Sequence, residues 1–287
     1  MDRRVRVDFD GAAAWGRLDV PAGDTITLDD GREIAEADAR YLAPVDPSKI
    51  IAVHLTYQSR ITEYAARTPA YPSFFMKPPT TLNGHRGVLR RPHGTRFLNY
   101  EGELATVIGR TAKGVSQQDA LSYVAGYAPA NDVGLHDFRH ADRGSMLRVK
   151  GQDGFLPIGP YVTPAAEFDP TNFSIRTHLN GEVVQEATAA DLIWGVAYQI
   201  ADLSRLITLN PGDVILTGTP ANSRPMEAGD VVAVEIEGLG RVENTVVDWD
   251  VDLTEAGDQP EVSGNTLHVA LAIPEDEAER IAQGESA

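Results

Sequence analysis

Three carboxylates stand in positions where they could hold a divalent cation. Glu101 and Glu103 are two residues apart at the start of an apolar stretch, so both side chains would point to one face of a strand. Asp132 follows in a turn-like segment. Converging carboxylates repel one another unless a cation lies between them, and oxygen ligands suit Mg²⁺, Mn²⁺ or Ca²⁺. Spacing alone leaves an alternative open, because a strand that begins with exposed acids gives the same pattern.

Basic residues could hold an anionic substrate near these acids. Lys77 lies in an apolar, proline-rich surrounding, and Arg148 and Lys150 would share a face if their segment is a strand. The basic island of this region comprises Arg139, Arg143, Arg148 and Lys150. Such an island predicts a carboxylate-binding site. The alternative is that these residues form surface ion pairs with nearby acids, which are Asp137, Asp142 and Asp153.

Other chemistries have little support in the sequence. Without cysteine there is no thiolate nucleophile and no thiolate-ligated metal. Nucleophile-elbow, phosphate-loop and dinucleotide-binding motifs are missing from the sequence. His136 and His140 are four apart but lack the glutamate of a zinc-protease motif, so we interpret them as helix or loop histidines. Gly218 and Thr219 end an apolar run, where backbone amides could hold a carboxylate, although the residues alone favour an ordinary strand-to-turn exit.

Charge and hydropathy narrow the class of protein. The formal net charge is −17, which makes nucleic acid an improbable partner because phosphate binding needs a basic surface. No apolar run is long enough to span a membrane. The N-terminus lacks the apolar stretch of a signal peptide, so we expect a cytoplasmic protein.

The periodicity divides the chain into three parts. Residues 1–48 alternate like short strands and predict a small N-terminal β domain. Residues 49–250 predict a mixed, β-rich α+β domain, with strands at 50–53, 103–108, 174–179, 214–217, 231–236 and 241–247 and helices at 59–66, 118 to about 126 and 190–206. Residues 251–287 are rich in acids and predict a dispensable acidic C-terminal tail.

Several segments together resemble the fumarylacetoacetate hydrolase family. They are residues 100–104, 130–132, 148–155, 157–160 and 209–220, and the match runs in order from about residue 50 to 248. Within the family, residues 147–150, 180–182 and 188–193 resemble the 5-oxopent-3-ene-1,2,5-tricarboxylate decarboxylase and 2-hydroxyhepta-2,4-diene-1,7-dioate isomerase of homoprotocatechuate degradation. The resemblance implies a rolled-sheet catalytic domain of the fumarylacetoacetate hydrolase type, and a homodimer.

The resemblance also implies a ligand set and roles for individual residues. Glu101, Glu103 and Asp132 would hold Mg²⁺ or Mn²⁺, and the substrate acid would bind that ion through its carboxylate and 2-oxygen. Lys150 matches the active-site lysine of the family, and Thr219 matches a threonine that contacts the substrate carboxylate. We expect further substrate contacts from the nearby polar and basic residues, which are Gly218, Lys77, Arg148 and Gln152.

One position departs from the family pattern. Many of its hydrolases have a lid whose histidine and glutamate activate water, whereas this chain has Arg60 in place of the histidine and keeps Glu63. A guanidinium stays protonated and cannot accept a proton from water. We therefore expect Arg60 to hold a distal carboxylate and Glu63 to move a proton.

These observations predict a metal-dependent decarboxylase or isomerase of 2-oxo or 2-hydroxy-dienoic di- or tricarboxylic acids in aromatic catabolism. One alternative is a hydrolase of C–C bonds in acylpyruvate or fumarylpyruvate-type substrates, and another is an oxaloacetate decarboxylase. A third alternative is a metal-stabilised binding protein without catalysis.

Overall fold

A computed structural model describes residues 2–21, 23–142, 144–251, 253 and 256–284. The strands in this part of the chain are β1 Asp2–Phe9, β2 Ala12–Asp19, β3 Thr25–Leu28, β4 Glu33–Ala35, β5 Arg40–Leu42, β6 Ile50–Val53, β7 Phe74–Lys77, β8 Leu82–Asn83, β9 Val88–Pro92, β10 Leu98–Asn99, β11 Gly102–Ile108, β12 Val124–Asn131, β13 Gly134–Leu135, β14 Leu156–Pro157, β15 Thr163–Pro164, β16 Ser174–Leu179, β17 Glu182–Thr188, β18 Val214–Leu216, β19 Val231–Ile236 and β20 Gly240–Trp249. The α-helices are α1 Gln58–Glu63, α2 Leu147–Lys150, α3 Val196–Leu206, α4 Gly264–Leu271 and α5 Glu275–Ala282. This composition confirms the predicted β-rich α+β class.

The N-terminal residues form a sheet with its own core. Its order is β4-β3-β2-β1-β5, and all neighbouring strands are antiparallel. Alternation along β1 buries Val5 and Val7, which pack with Ile26 and Tyr41. Tyr161, from outside this sheet, joins the same cluster, so the sheet is docked on the rest of the chain.

A six-stranded sheet forms the centre of the remaining chain. Its order is β15-β12-β11-β18-β6-β7, and every residue of the central strand β11 is buried because it is paired on both sides. Lys77, at the end of the edge strand β7, reaches Asp132 directly after β12. A contact between strands so far apart in the sheet order shows that the sheet is rolled, as the family resemblance implies.

A second, five-stranded sheet packs on the first. Its order is β17-β16-β19-β20-β9, and its inner face contributes Val232, Val234 and Ile236 to the two large apolar clusters. The hairpin β16–β17 turns at Asn180 and Gly181, both with positive φ, as the sequence predicts.

The helices differ from the sequence prediction in extent. Residues 120–123 form a short 3₁₀ helix, and β12 already includes Gly126, so the helix predicted from 118 to about 126 is wrong. The Asp119 amide does donate to the Ser116 hydroxyl, and that hydroxyl donates to the Asp119 carboxylate. The residues that follow do not continue a helix, because β12 pairs with β11. Helix α3 begins only at Val196, because residues 189–191 form a separate 3₁₀ turn.

The C-terminal segment, predicted to be a dispensable acidic tail, contains two helices that pack against the rest of the chain. Ser263 is the N-cap of helix α4, and its hydroxyl accepts a hydrogen bond from the amide of Thr266. The acids at 275–277 form the first turn of α5, where negative charge stabilises a helix. The two helices share an apolar cluster with Phe97: its buried members are Phe97, Leu267, Ala270 and Ala278.

Candidate active site

Strand pairing brings the three carboxylates together. β11 and β12 are antiparallel, and Gly102 faces Asn131, so the start of β11 lies beside the end of β12. Glu101 precedes β11, Glu103 is its second residue, and Asp132 follows β12. The amide of Asp132 donates to the carbonyl of Glu101 over 2.8 Å, which fixes the turn against the strand.

The triad of Glu101, Glu103 and Asp132 is compact and buried. One carboxylate oxygen from each lies within 4.8 Å of the others. Burial, followed by repulsion from Asp132 and Glu101, raises the pKa of Glu103 well above its ordinary value. A positive charge beside Glu103 would therefore favour its ionised form.

Two buried lysines flank the triad. The Lys150 ammonium lies 2.8 Å from Glu101 Oε2 and 3.1 Å from Asp132 Oδ2, and Lys77 contacts the other oxygen of Asp132. Burial alone would lower the pKa of Lys150, but the attraction of Asp132 and Glu101 outweighs it and leaves this pKa above its usual value. Desolvation dominates at Lys77, whose pKa is lowered. Lys77 also donates to the carbonyl of Phe155 over 3.1 Å and does not line the cavity, so the structure places it behind Asp132.

The donor set fits a divalent cation. Two ammonium groups face the three carboxylates, and Glu103 is the member of the triad with no lysine or arginine within 4.0 Å among the described residues. The ligand atoms are carboxylate oxygens, which Mg²⁺ and Mn²⁺ prefer. A divalent ion would convert the net charge of this cluster from negative to positive, as binding of an acid requires.

The exit from β18 forms the third side of the site. The Gly218 amide donates to Glu103 Oε2 over 2.7 Å and holds that carboxylate in place. Gly218 has a φ of 94°, and an added Cβ would lie 2.1 Å from Thr56 Oγ1, so this position requires glycine. Thr219 lines the cavity, and its hydroxyl accepts a hydrogen bond from Gln185 over 3.1 Å.

Arg60 and Glu63 lie on helix α1, at the predicted lid. Arg60 lines the cavity, lies 4.0 Å from Glu101 Oε1 and stacks over the Tyr64 ring at 4.3 Å. It also donates to Glu63 Oε2 over 2.6 Å. The other donors to Glu63 are Arg224, at 2.8 Å, and the amide of Asn222, at 3.1 Å. The lid arginine is thus partly neutralised, and both oxygens of Glu63 are already engaged.

The cavity in front of the triad has a volume of about 560 Å³, a size suited to a small ligand. Its wall combines the triad, Lys150, Arg60 and Thr219 with residues that the sequence did not single out as site residues. The ionisable ones among these are His54, Tyr64, His136, His268 and Glu275, and Arg139 of the predicted basic island also lines the wall.

His136 is the main residue that the sequence interpretation missed. It is buried, both ring nitrogens have no hydrogen-bond partner among the described residues, and Nε2 lies 3.8 Å from Glu101 Oε1. Burial, with the nearby charges of Arg139 and Lys150, lowers its pKa well below the usual value. It therefore presents a neutral imidazole to the site. Its only sequence signal was its place four residues after Asp132. His140, by contrast, lies 3.4 Å from Asp258 at the surface.

The structure separates the basic island. Residues 147–150 form a helix rather than a strand, and residues two apart on a helix differ by about 200°. Arg148 therefore points outward and pairs with Asp142, while Lys150 points into the site. Gln152 donates to the carbonyl of Arg148 over 2.8 Å, and neither residue lines the cavity. Arg143 lies outside the described residues.

The C-terminal helices close one side of the cavity. Asn265, His268 and Val269 of α4 and Glu275 of α5 line it. The hydroxyl of Tyr64 donates to the carbonyl of Val269 over 3.0 Å, which joins α4 to the lid. The segment expected to be a dispensable tail is thus part of the cavity wall.

Comparison with known proteins gives one family. The profile described as fumarylacetoacetate (FAA) hydrolase C-terminal matches residues 49–247. An Escherichia coli 4-hydroxyphenylacetate degradation bifunctional isomerase/decarboxylase is 40% identical over 219 residues, which cover 76% of this chain and 51% of that protein. The chain therefore spans about half the length of that bifunctional relative.

Two further relatives extend the comparison. The crystal structure of 5-carboxymethyl-2-hydroxymuconate delta-isomerase from Mycobacterium smegmatis is 35% identical with a TM-score of 0.77, and the match covers 87% of this chain and 100% of that one. A mitochondrial oxaloacetate tautomerase of Xenopus laevis is 36% identical over 231 residues, which cover 77% of this chain and 72% of that protein. No helix in the described part of the chain is long and apolar enough to cross a membrane.

Proposed function

Because the chain belongs to the fumarylacetoacetate hydrolase C-terminal family of enzymes, we propose that it isomerises or decarboxylates 2-oxo or 2-hydroxy-dienoic acids with two or three carboxylates. The observation that carries this proposal is the buried triad with Lys150 beside it, in a cavity whose other ionisable residues are mostly basic or histidine. By their names, two of its relatives catalyse the proposed kinds of reaction: one is an isomerase/decarboxylase and the other a delta-isomerase. Degradation of aromatic compounds is the proposed metabolic setting.

Glu101, Glu103 and Asp132 would hold Mg²⁺ or Mn²⁺ in this proposal. Enzymes of this family generally depend on divalent metals, and the oxygen donors suit both ions. When bound, such an ion supplies positive charge that stabilises negative charge developing on a 2-oxo group.

The chain's own residues would position the acid and move its proton. Thr219 and Lys150 line the cavity beside the triad and would contact the carboxylate next to the 2-oxygen. Lys150 carries a proton and would balance charge or deliver that proton to the conjugated chain. His136 presents an unprotonated ring nitrogen to the same site and is the second candidate for proton transfer.

The lid favours isomerisation or decarboxylation over hydrolysis. A water-activating carboxylate needs a free oxygen, but three donors occupy Glu63: Arg60, Arg224 and the amide of Asn222. Arg60 cannot accept a proton itself. Closing the lid would therefore shield the substrate without preparing a water molecule for attack.

Conversion of oxaloacetate is a second candidate function. It is favoured by the Xenopus laevis relative, an oxaloacetate tautomerase by name, which is 36% identical over 231 residues. Oxaloacetate is itself a 2-oxo diacid, so the same triad and basic wall would bind it. We further propose that the enzyme works as a cytoplasmic homodimer, without nucleic acid or membrane partners.

A substrate panel tests the proposal. The Mg²⁺- or Mn²⁺-loaded protein would be given 2-hydroxyhepta-2,4-diene-1,7-dioate, 5-oxopent-3-ene-1,2,5-tricarboxylate, oxaloacetate and an acylpyruvate. We expect loss of the dienol absorbance for the first acid or release of CO₂ from the second, and no cleavage of the acylpyruvate. Efficient formation of two acids from the acylpyruvate would instead establish the hydrolase, and no turnover of any acid would support a binding protein.

A further inference from the structure

Arg139 differs from Lys150 and Arg60 in making no ion pair within the described part of the chain. It follows the 3₁₀ turn His136–Phe138 and lines the cavity. No carboxylate of the described chain lies within 4.0 Å of its guanidinium. Its guanidinium makes a long polar contact, 3.8 Å from NH1 to the sulfur of Met146.

The neighbouring cations are already engaged. Lys150 contacts Glu101 and Asp132, Lys77 contacts Asp132, and Arg60 contacts Glu63. Arg139 is half-buried. A partly desolvated guanidinium without an ion-pair partner is costly, and an anion that enters the cavity would offset this cost. Burial indeed lowers the pKa of Arg139 from its usual value, which agrees with a desolvated position. Arg139 is thus better suited than Arg60 to bind an incoming carboxylate.

We propose that Arg139 binds the distal carboxylate of the substrate, the one remote from the triad, and so makes the enzyme selective for diacids over monoacids. This inference rests on the proposed function, because it assigns the near end of the substrate to the triad. A planar guanidinium can grip a carboxylate through two parallel hydrogen bonds. The apolar part of the cavity wall, with Val53, Phe75 and Met146, would contact the carbon chain between the two ends.

The carboxylates of the cavity do not oppose this assignment. Glu101, Glu103 and Asp132 are held by lysines, by the Gly218 amide or by the expected cation. Glu275, the remaining acid in the wall, is exposed on α5 and lies more than 4.0 Å from the Arg139 guanidinium. Solvent screens an exposed acid more strongly than it screens a desolvated ion pair.

Binding of two unreactive acids of equal chain length isolates the distal carboxylate. The probes are 2-oxoheptanedioate and 2-oxoheptanoate, titrated calorimetrically into the Mg²⁺-loaded protein. We expect the wild type to bind the diacid more tightly. Arg139→Gln should weaken diacid binding by roughly 10- to 100-fold, the loss expected for a charge-assisted pair, and leave monoacid binding unchanged. Arg139→Lys, which keeps the charge but not the planar fork, should give an intermediate loss.

Arg148→Gln is the matched control, since Arg148 is exposed, pairs with Asp142 and lies outside the cavity. It should bind both acids as the wild type does. Equal binding of the two acids by the wild type, or a diacid preference that survives in Arg139→Gln, would overturn the role of Arg139 while leaving the proposed reaction intact. Failure of the metal-loaded wild type to bind either acid would overturn both the proposed function and this inference.

Discussion

Glu103 is the member of the triad with no ammonium against it. Lys150 contacts Glu101 and Asp132, and Lys77 contacts Asp132. The Glu103 carboxylate instead accepts a hydrogen bond from the Gly218 amide. A cation in the triad would therefore relieve Glu103 most. This difference makes Glu103 the most informative ligand to change.

Replacing Glu103 with glutamine should remove the cation site without unfolding the protein. Glutamine keeps the shape of glutamate and can still accept the Gly218 amide, but it removes the charge. We expect the Mn²⁺ affinity, measured by calorimetry, to fall by at least about 100-fold. Even substitution of a residue that only hydrogen-bonds to a metal ligand lowers metal affinity by roughly 10- to 100-fold. The thermal midpoint should stay the same or rise, because carboxylate repulsion is relieved.

The control for this variant is Glu186→Gln, which changes an exposed acid paired with Arg176. It should leave Mn²⁺ binding unaltered. Wild-type Mn²⁺ affinity in Glu103→Gln would show that the three carboxylates do not form the ligand set.

At the scale of residues, sequence was informative where side-chain type alone limits the chemistry. Three acids with strand and turn spacing pointed to a cation, although the spacing could not exclude exposed acids. Sequence is less informative about the direction in which a side chain points. A strand would place Arg148 and Lys150 on one face, but in the observed helix they point to different sides. His136 and Arg139 carry no local motif, since their place in the wall depends on how the turn after β12 packs.

At the scale of elements, the site depends on the ends of the neighbouring strands β12, β11 and β18, which meet at one end of the sheet. Apolar runs identified β6, β11, β16 and β19 well, because buried strands are short and bounded by turn residues. Pairing partners and the roll of the sheet could not be read from those runs. The helix predicted at 118–126 failed because the strand pairing β11–β12 overrides a local capping signal.

The acidic composition of residues 251–287 suggests that they are dispensable, whereas the structure predicts that their helices support activity. Truncation after Gln259 removes α4 and α5, exposes Phe97 and opens the cavity wall at His268 and Val269. Losing the burial of Leu267 alone costs about 1.5–3 kcal/mol. We expect a lower thermal midpoint and a kcat/KM for the dienoic diacid reduced by at least about tenfold, as for loss of 1.4 kcal/mol of transition-state binding.

Truncation after Gly284 is the matched control, because it leaves both helices in place. Its kinetics should equal those of the full chain. If truncation after Gln259 instead kept the full kcat/KM, the helices would be a cover without influence on the reaction.

At the scale of the whole molecule, His85 links the N-terminal sheet to the second sheet. Its ring accepts the amide of Glu243 over 3.1 Å and packs edge-on against Tyr41 at 5.3 Å. Burial, with the charge of Arg86, lowers the pKa of His85 to about 4. Since the unfolded chain binds this proton near pH 6.5, folding stability should fall as the pH drops from about 6.5 towards 4.

Replacing His85 with glutamine should flatten that part of the stability profile. The free energy of unfolding, measured by urea titration at several pH values, should change less between pH 6.5 and 4 in His85→Gln than in the wild type. The exposed His93 provides the control, and His93→Gln should keep the wild-type slope. An unchanged slope in His85→Gln would mean that the ring is not held neutral at this junction.

The chain as a whole is acidic, whereas its cavity is lined by basic residues as well as by the triad. The proposed cation would offset the negative charge of the triad, so that an acid could bind there. The central claim is that this cation, held by Glu101, Glu103 and Asp132, is required for turnover. The most direct measurement is titration of the metal-stripped protein with Mg²⁺ or Mn²⁺ while conversion of 2-hydroxyhepta-2,4-diene-1,7-dioate is followed. We expect negligible turnover without metal and saturation at one ion per chain. Full turnover by the stripped protein in excess chelator would contradict this claim.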